Sequence, residues 1–202
     1  MVTRDDIKTK TILSLIDTGL ISELKVCQKG FVDKARNAMI EDFLTTNKTH
    51  LLWVDSDNIL PANILSLGDL DADVVGGLAM TPFFLSGRTI WTPQIFRRSS
   101  DGVTTPYEMK ELEVIIEKAR REHTIPVVEP YTLGSSWLVR RSVYDEVVDE
   151  DGIWHRVTWN DPDTGRIRYT EDGYFFDRCH RAGLKVIARL DVRVGHVKTC
   201  IM

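Results

Sequence analysis

The sequence predicts an α/β fold, a single domain over residues 1–202 in which a mostly parallel central sheet is flanked by helices. Three observations predict it. Helical and strand-like hydrophobic periods alternate through residues 1–80, the order that builds parallel sheets. Residues 51–54 (LLWV) and 74–80 (VVGGLAM) are continuously apolar rather than alternating, as strands covered on both faces are. The 202 residues contain no internal repeat, low-complexity tract or linker rich in Pro, Gly or Ser, so they suffice for one core and offer no place to divide it.

Residues 7–17 read as a helix with Ile7, Ile12, Leu15 and Ile16 as its apolar positions and Gly19 as its stop, and residues 24–27 as a short strand. The next helix is expected over residues 33–45 with Asp33 as N-cap. Its apolar residues Val32, Met39, Ile40, Phe43 and Leu44 fall on one stripe, and Arg36 lies on that same stripe. The strand at 51–54 follows, then Pro61, suited to the first turn of a short helix, then the strand at 74–80. Residues 91–107 carry the turn signal Ser99-Ser100-Asp101-Gly102 between short strand-like pieces. Residues 108–123 are strongly helical, with Leu112, Ile115, Ile116 and Ala119 inward, and residues 127–131 and 137–139 return to strand. The polar stretch 149–168 contains Asp-Pro-Asp-Thr-Gly, a loop tip between Trp159 and Ile167. A helix over residues 171–181, closed by Gly183, and strands near 185–188 and 192–197 complete the order.

Composition narrows the function. The 43% apolar and 28% charged content is that of a globular protein, and no apolar run approaches the roughly 20 residues that span a bilayer. The opening MVTRDDIKTK lacks the apolar stretch of a secretory signal, so the expected location is the cytoplasm. Cys27, Cys179 and Cys200 are widely separated and form no C-x-x-C pair, which points to free thiols rather than a disulfide framework or a zinc site. A net charge of -4 argues against a nucleic-acid groove, whereas a small anionic ligand is compatible if a metal carries the positive charge.

Residues 51–61, LLWVDSDNILP, bring two carboxylates to the end of a buried strand. Alternate side chains of an extended segment share a face, so Asp55 and Asp57, separated by Ser56, can point into one space beyond the strand end, where α/β sheets bind ligands. Two hard oxygens suit Mg2+ or Mn2+, which are held by one or two carboxylates with phosphate and water. A simple turn accounts for the same residue types. Arg36, with Asn37 beside it, either snorkels to the rim or points at an anion such as a nucleotide. Thr170-Glu171-Asp172 opens a helix, where a threonine cap and acidic residues complement the amide dipoles; a carboxylate there can also take a proton from an attacking hydroxyl. His196 shares parity with Val192 and Val194 and so points inward, as a metal ligand or as a hydrogen-bonded core histidine. Trp154 and Trp159 sit in the most loop-like stretch, where their flat faces either stack a sugar or pack the loop down; His155 lies in the same candidate substrate loop, and Trp53 reads as core.

Taken in order, these pieces resemble a glycosyltransferase of the A-type fold, a single-domain Rossmann-like architecture, close to the family two enzymes and their phage and metagenomic relatives. The resemblance is carried by Arg36-Asn37, by LLWVDSDNILP as the Asp-x-Asp motif, by DVVGGL at 73–78 as the next strand, and by GSSWLVRRSV at 134–143 as the acceptor-side segment. It continues with TEDGYFFDRCHRAGLKV as the Glu-Asp helix and VRVGHV as the terminal His strand. It implies a hexosyltransferase-type enzyme that moves a sugar from a nucleoside diphosphate sugar, UDP- or GDP-linked, to the hydroxyl of an unknown acceptor with the help of Mn2+ or Mg2+. On this resemblance Arg36 and Asn37 contact the nucleotide, and Asp55, with Ser56, lies near the ribose or a metal-bound water. Asp57 binds the metal with Asp55 and His196 completing its shell, and Asp172 is the general base of an inverting reaction, with Glu171 the neighbouring alternative. No nucleic acid and no membrane span is implied, and a homo-oligomer is compatible. At its start the chain departs from the family pattern: only Met1-Val2-Thr3-Arg4 stands where a full apolar strand is expected, so the first strand is expected to be short or missing. Two alternatives stand beside this reading: a nucleotidyltransferase, whose Gly-rich basic loop after its first strand is not visible here, and a non-catalytic domain that kept the fold and lost the donor.

Overall fold

The computed structural model describes residues 11, 13, 14, 17, 31–85, 88–100, 102–134, 136–159 and 167–196. Of the helix expected at 7–17, residues 11, 13, 14 and 17 have helical backbone; the strand expected at 24–27 and the expected short or missing first strand lie outside the described residues.

Helix α1 (Val32–Leu44) starts one residue before its expected place, with Phe31 as N-cap and no side-chain cap bond. Asp33, expected as the cap, instead sits in the first turn, where its Oδ1 accepts from the Lys34 amide at 2.8 Å and its Oδ2 from the Val157 amide at 3.3 Å. Arg36, Ile40 and Phe43 form the buried stripe. At the other end Arg141 donates to the carbonyls of Phe43, Thr46 and Leu44 at 3.3, 2.7 and 2.5 Å, satisfying groups that a helix C-terminus leaves unpaired. There follow β1 (His50–Trp53), β2 (Asn58–Ile59), a 3₁₀ turn (Ile64–Asp69), β3 (Val74–Leu85), β4 (Arg88–Pro93), β5 (Ile95–Arg98) and β6 (Thr104–Pro106). Helix α2 (Met109–Glu122), β7 (Val127–Val128), β8 (Thr132–Leu133), β9 (Trp137–Arg140) and α3 (Val143–Val147) come next. The order closes with β10 (Thr158–Trp159), β11 (Ile167–Tyr169), α4 (Glu171–Arg181) and β12 (Val186–His196).

The central sheet has seven strands in the order β1-β9-β3-β12-β2, with β4 against β3 and β7 against β12. It is mixed, which corrects the expectation of a mostly parallel sheet: among the described residues β3 and β12 pair parallel, while β9 runs antiparallel between β1 and β3. Strands β2, β4 and β7 are antiparallel to their neighbours as well. Hydrophobic pattern reports how many faces of a strand are covered, not its direction, so β9 could not be distinguished from a parallel strand. Its register sets Trp137 opposite Trp53.

The two terminal strands expected near 185–188 and 192–197 are one strand, β12, carrying a bulge between Arg189 and Arg193 opposite Gly77 and Leu78. The polar pair that interrupts the apolar pattern is tied off locally: Arg189 Nε meets Asp191 Oδ1 at 2.8 Å. At the bulge a Cβ on Gly77 would stand 2.8 Å from the Val192 carbonyl oxygen, so the close approach of β3 and β12 requires glycine there. The sheet separates two apolar layers, one around Ile40, Trp53, Leu78, Trp137 and Phe175, the other around Leu60, Ile64, Val75, Ile187 and Val192. Among the described residues no helix is long and apolar enough to cross a membrane.

Candidate functional site

The Asp55-Ser56-Asp57 segment leaves the end of β1 as a tight turn: the Asn58 amide donates to the Asp55 carbonyl at 3.0 Å, and the Asp55 amide to Asn58 Oδ1 at 3.3 Å. Ser136 Oγ donates to the same Asn58 oxygen at 2.7 Å, and β2 pairs Asn58 with His196 at the end of β12. Residues upstream pin the other side, with Thr11 Oγ1 donating to the Ser56 carbonyl at 3.0 Å and Ser14 Oγ accepting from the Leu60 amide at 3.0 Å. Ser56 itself is exposed at the tip.

This anchoring brings Asp57 to His196, whose Nε2 lies 3.3 Å from Asp57 Oδ1. His196 Nδ1 also meets Thr81 Oγ1 at 3.0 Å, a contact in which either partner can donate according to the ring tautomer. Among the described residues no group of three His, Cys, Asp or Glu side chains is arranged to hold a metal. One carboxylate and one imidazole nonetheless fit two positions of a Mn2+ or Mg2+ shell, because these ions take their remaining oxygens from substrate phosphate and water.

Asp55 is drawn the other way, toward Arg36. Arg36 is 7% exposed, and its guanidinium lies over the rings of Trp137 at 4.9 Å and Trp53 at 5.5 Å. It reaches Asp55 at 3.6 Å and Glu171 at 3.9 Å, and it contacts Asp172 directly. Glu171 and Asp172 arrive there because α4 begins at this point, with Thr170 Oγ1 accepting from the Gly173 amide at 3.1 Å. Burial in this cluster pushes the Asp172 carboxyl up to about 7, Arg36 opposing and the neighbouring Glu171 and Asp55 charges reinforcing. Burial also raises Asp55, opposed by Arg36 and reinforced by Asp57, although its side chain keeps 42% exposure at the rim.

The structure therefore gathers Arg36, Asp55, Asp57, Glu171, Asp172 and His196 into one acidic cluster at the end of the sheet. Asn37, expected at the nucleotide, is engaged elsewhere: its Oδ1 accepts from the amides of Trp154 and His155 at 3.0 and 2.9 Å, and its Nδ2 donates to the His155 carbonyl at 2.7 Å. This clamp holds the 154–155 backbone against α1. Trp154, considered as a sugar-stacking face, is buried, with its Nε1 donating to the Tyr144 carbonyl at 2.7 Å; the Trp159 side chain lies outside the described residues. His155 is not in an open substrate loop but fully buried, its ring stacked on Phe175 at 4.7 Å. Because the Glu171 carbonyl can only accept, His155 Nδ1, 3.1 Å away, carries the proton. Burial and the nearby Arg36 charge hold this imidazole well below the usual histidine range, so it is neutral. Sequence reasoning missed the tryptophan platform under Arg36 and the Thr81 contact. The available signal was position: Trp53 directly precedes the aspartates and Trp137 directly follows Gly134-Ser135-Ser136.

No protein-family model matches the chain, and no curated protein does. Solved structures do match it. A197 from STIV is 14% identical with a TM-score of 0.58, over 98% of this chain and 83% of that one. The crystal structure of GalNAc-T7 with UDP, GalNAc and Mn2+ is 15% identical with a TM-score of 0.55, over 94% of this chain and 34% of that one, so the chain spans about a third of GalNAc-T7. At these identities the likeness speaks of fold: the chain is a mixed α/β protein with a glycosyltransferase-like fold.

Proposed function

We propose that the protein is a metal-dependent glycosyltransferase that transfers a sugar from a nucleoside diphosphate sugar, UDP- or GDP-linked, to an acceptor hydroxyl with inversion. The observation that carries this reading is the meeting, at one end of the sheet, of the Asp55-Ser56-Asp57 turn, the acidic start of α4 and the buried Arg36. GalNAc-T7, which shares the fold, was solved with UDP, GalNAc and Mn2+.

In this reading Asp57 and His196 hold Mn2+ or Mg2+, with Asp55 at the edge of the shell beside Ser56 and the ribose. The bound ion supplies neutralisation of the charge that grows on the departing diphosphate. Arg36 offers a second positive centre toward the nucleotide, and Asn37 supports the site by fixing the 154–155 backbone. Asp172 takes the proton of the acceptor hydroxyl as its oxygen bonds to the anomeric carbon and the bond to diphosphate breaks on the opposite side. A carboxyl raised toward neutrality is better matched to that task than an ordinary aspartate, and Glu171 is the neighbouring alternative.

Calorimetry with UDP and GDP, with and without Mn2+, tests the reading. Manganese-dependent binding that is lost in Asp57→Ala is expected, and its absence from the native chain would assign a non-catalytic domain. Asp172→Asn should keep nucleotide binding and stop turnover; turnover that survives moves the base to another residue.

A further inference from the structure

A cavity of about 400 Å³ opens far from this cluster, between β5, the 129–131 turn before β8, the last turn of α4 and the start of β12. It is a separate place. Strand β12 begins there and reaches His196 only at its other end, and α4 carries Glu171 at one end and His180, a lining residue, about 14 Å of helix away.

The lining is cationic in a chain whose net charge is -4. Arg97, Arg98 and Lys185 line it against one carboxylate, Glu129. The carboxylates that fix the two arginines, Glu111 and Asp177, do not line it. Arg97 Nη1 donates to Glu111 at 2.8 Å while its guanidinium lies 5.2 Å over the Tyr107 ring, leaving Nε and Nη2 without a hydrogen bond among the described residues. Arg98 lies 4.9 Å over Tyr131 and 3.3 Å from Asp177, which also accepts from the Tyr131 hydroxyl at 2.5 Å. Tyr131 is also stacked at 4.8 Å on His180, whose Nε2 donates to the Tyr131 carbonyl at 2.8 Å. Each arginine is fixed by a carboxylate and a ring, and a guanidinium fork oriented in advance is what recognition of a phosphate or carboxylate exploits. Lys185 is exposed and adds a point charge of the kind that binds phosphate.

We propose that this cavity binds a small phosphate-bearing ligand, with Arg97 and Lys185 as the anion contacts and the Arg98-Tyr131-His180 stack as its wall. The site does not depend on the transferase reading. Its test is a ¹H–¹⁵N NMR titration of the metal-free Asp57→Ala chain with inorganic pyrophosphate, glucose 1-phosphate and glucuronate. Saturable shifts at the amides of Arg97, Tyr131, His180 and Lys185 with the two phosphates, and at least tenfold weaker binding in Arg97→Gln and Lys185→Gln, are expected. Lys185 is exposed, so its variant reports on binding even if Arg97→Gln unfolds. Absence of saturation, shifts confined to residues 55–57 and 196, or unchanged binding by Lys185→Gln overturns the site. Glucuronate binding as tight as glucose 1-phosphate overturns the phosphate assignment.

Discussion

Replacing Asp172 with Asn should remove a stability slope that runs opposite to that of an ordinary salt-bridged aspartate. In the folded chain burial raises this carboxyl from 3.8 to about 7 despite the Arg36 contact. Below about pH 4 both folded and unfolded states hold the proton. Between about pH 4 and 7 the unfolded state has lost it and the folded state keeps it, so stability falls as pH rises; above about pH 7 both are ionised and the difference is constant. Three units at about 1.4 kcal/mol each set a ceiling near 4 kcal/mol, and the 19% exposure of the side chain lowers the expectation to about 2–3 kcal/mol. Urea unfolding followed by tryptophan fluorescence at pH 5 and pH 8, for the wild type and Asp172→Asn, gives the double difference that isolates this group from Asp55, which shifts in the same direction. The advantage of the wild type should shrink by about 1.5–2 kcal/mol from pH 5 to pH 8, because this window spans about two of the three units. An advantage that grows with pH, or stays within about 0.5 kcal/mol, would mean that attraction to Arg36 outweighs burial, and the reasoning about a raised base would fail.

Further substitutions probe the scaffold. Arg36→Met keeps the apolar stem over Trp53 and Trp137 and leaves Asp55, Glu171 and Asp172 without their shared cation; a loss of about 2–4 kcal/mol at pH 8, smaller at pH 5, is expected in urea unfolding. Asn37→Ala strands the Trp154 and His155 amides, costing about 1–3 kcal/mol, and hydrogen exchange at those two amides should accelerate more than elsewhere. Gly77→Ala drives a methyl against the Val192 carbonyl and should lower stability by about 1–3 kcal/mol in calorimetric unfolding, whereas Gly68→Ala, whose Cβ stands 3.7 Å from Leu138, should be near neutral.

Two of the helices carry their own punctuation, whereas α1 was legible from its apolar stripe without the cap expected at Asp33, and the short α3 was not read. Thr170 starts α4 and Gly183 follows its end at φ 73°, and Glu108 and Glu111 form a reciprocal cap at the start of α2. Strand direction and continuity were not legible. Nothing in Trp137-Leu138-Val139-Arg140 states that it runs against β1, and the polar Arg189 and Asp191 suggested a break where β12 only sidesteps. In the candidate site, placement was readable: the paired aspartates follow a strand end and Glu171-Asp172 open a helix, and the structure sets both at one end of the sheet. Asn37 and Trp154 were not, because an amide and an indole serve a clamp and a packed loop with the same atoms that would serve a ligand, and only long-range contacts decide between those uses.

The buried guanidinium of Arg36 is in effect a counter-ion tethered to the chain. Sites that rely on a dissolved ion to offset clustered carboxylates assemble only when that ion is supplied. Here three acids already share an internal cation, and the fourth, Asp57, faces His196. On the proposed reading the acids of the site assemble without metal, so a chelator should abolish ligand capture and lower the melting temperature only by the small amount that loss of a loosely held ion accounts for.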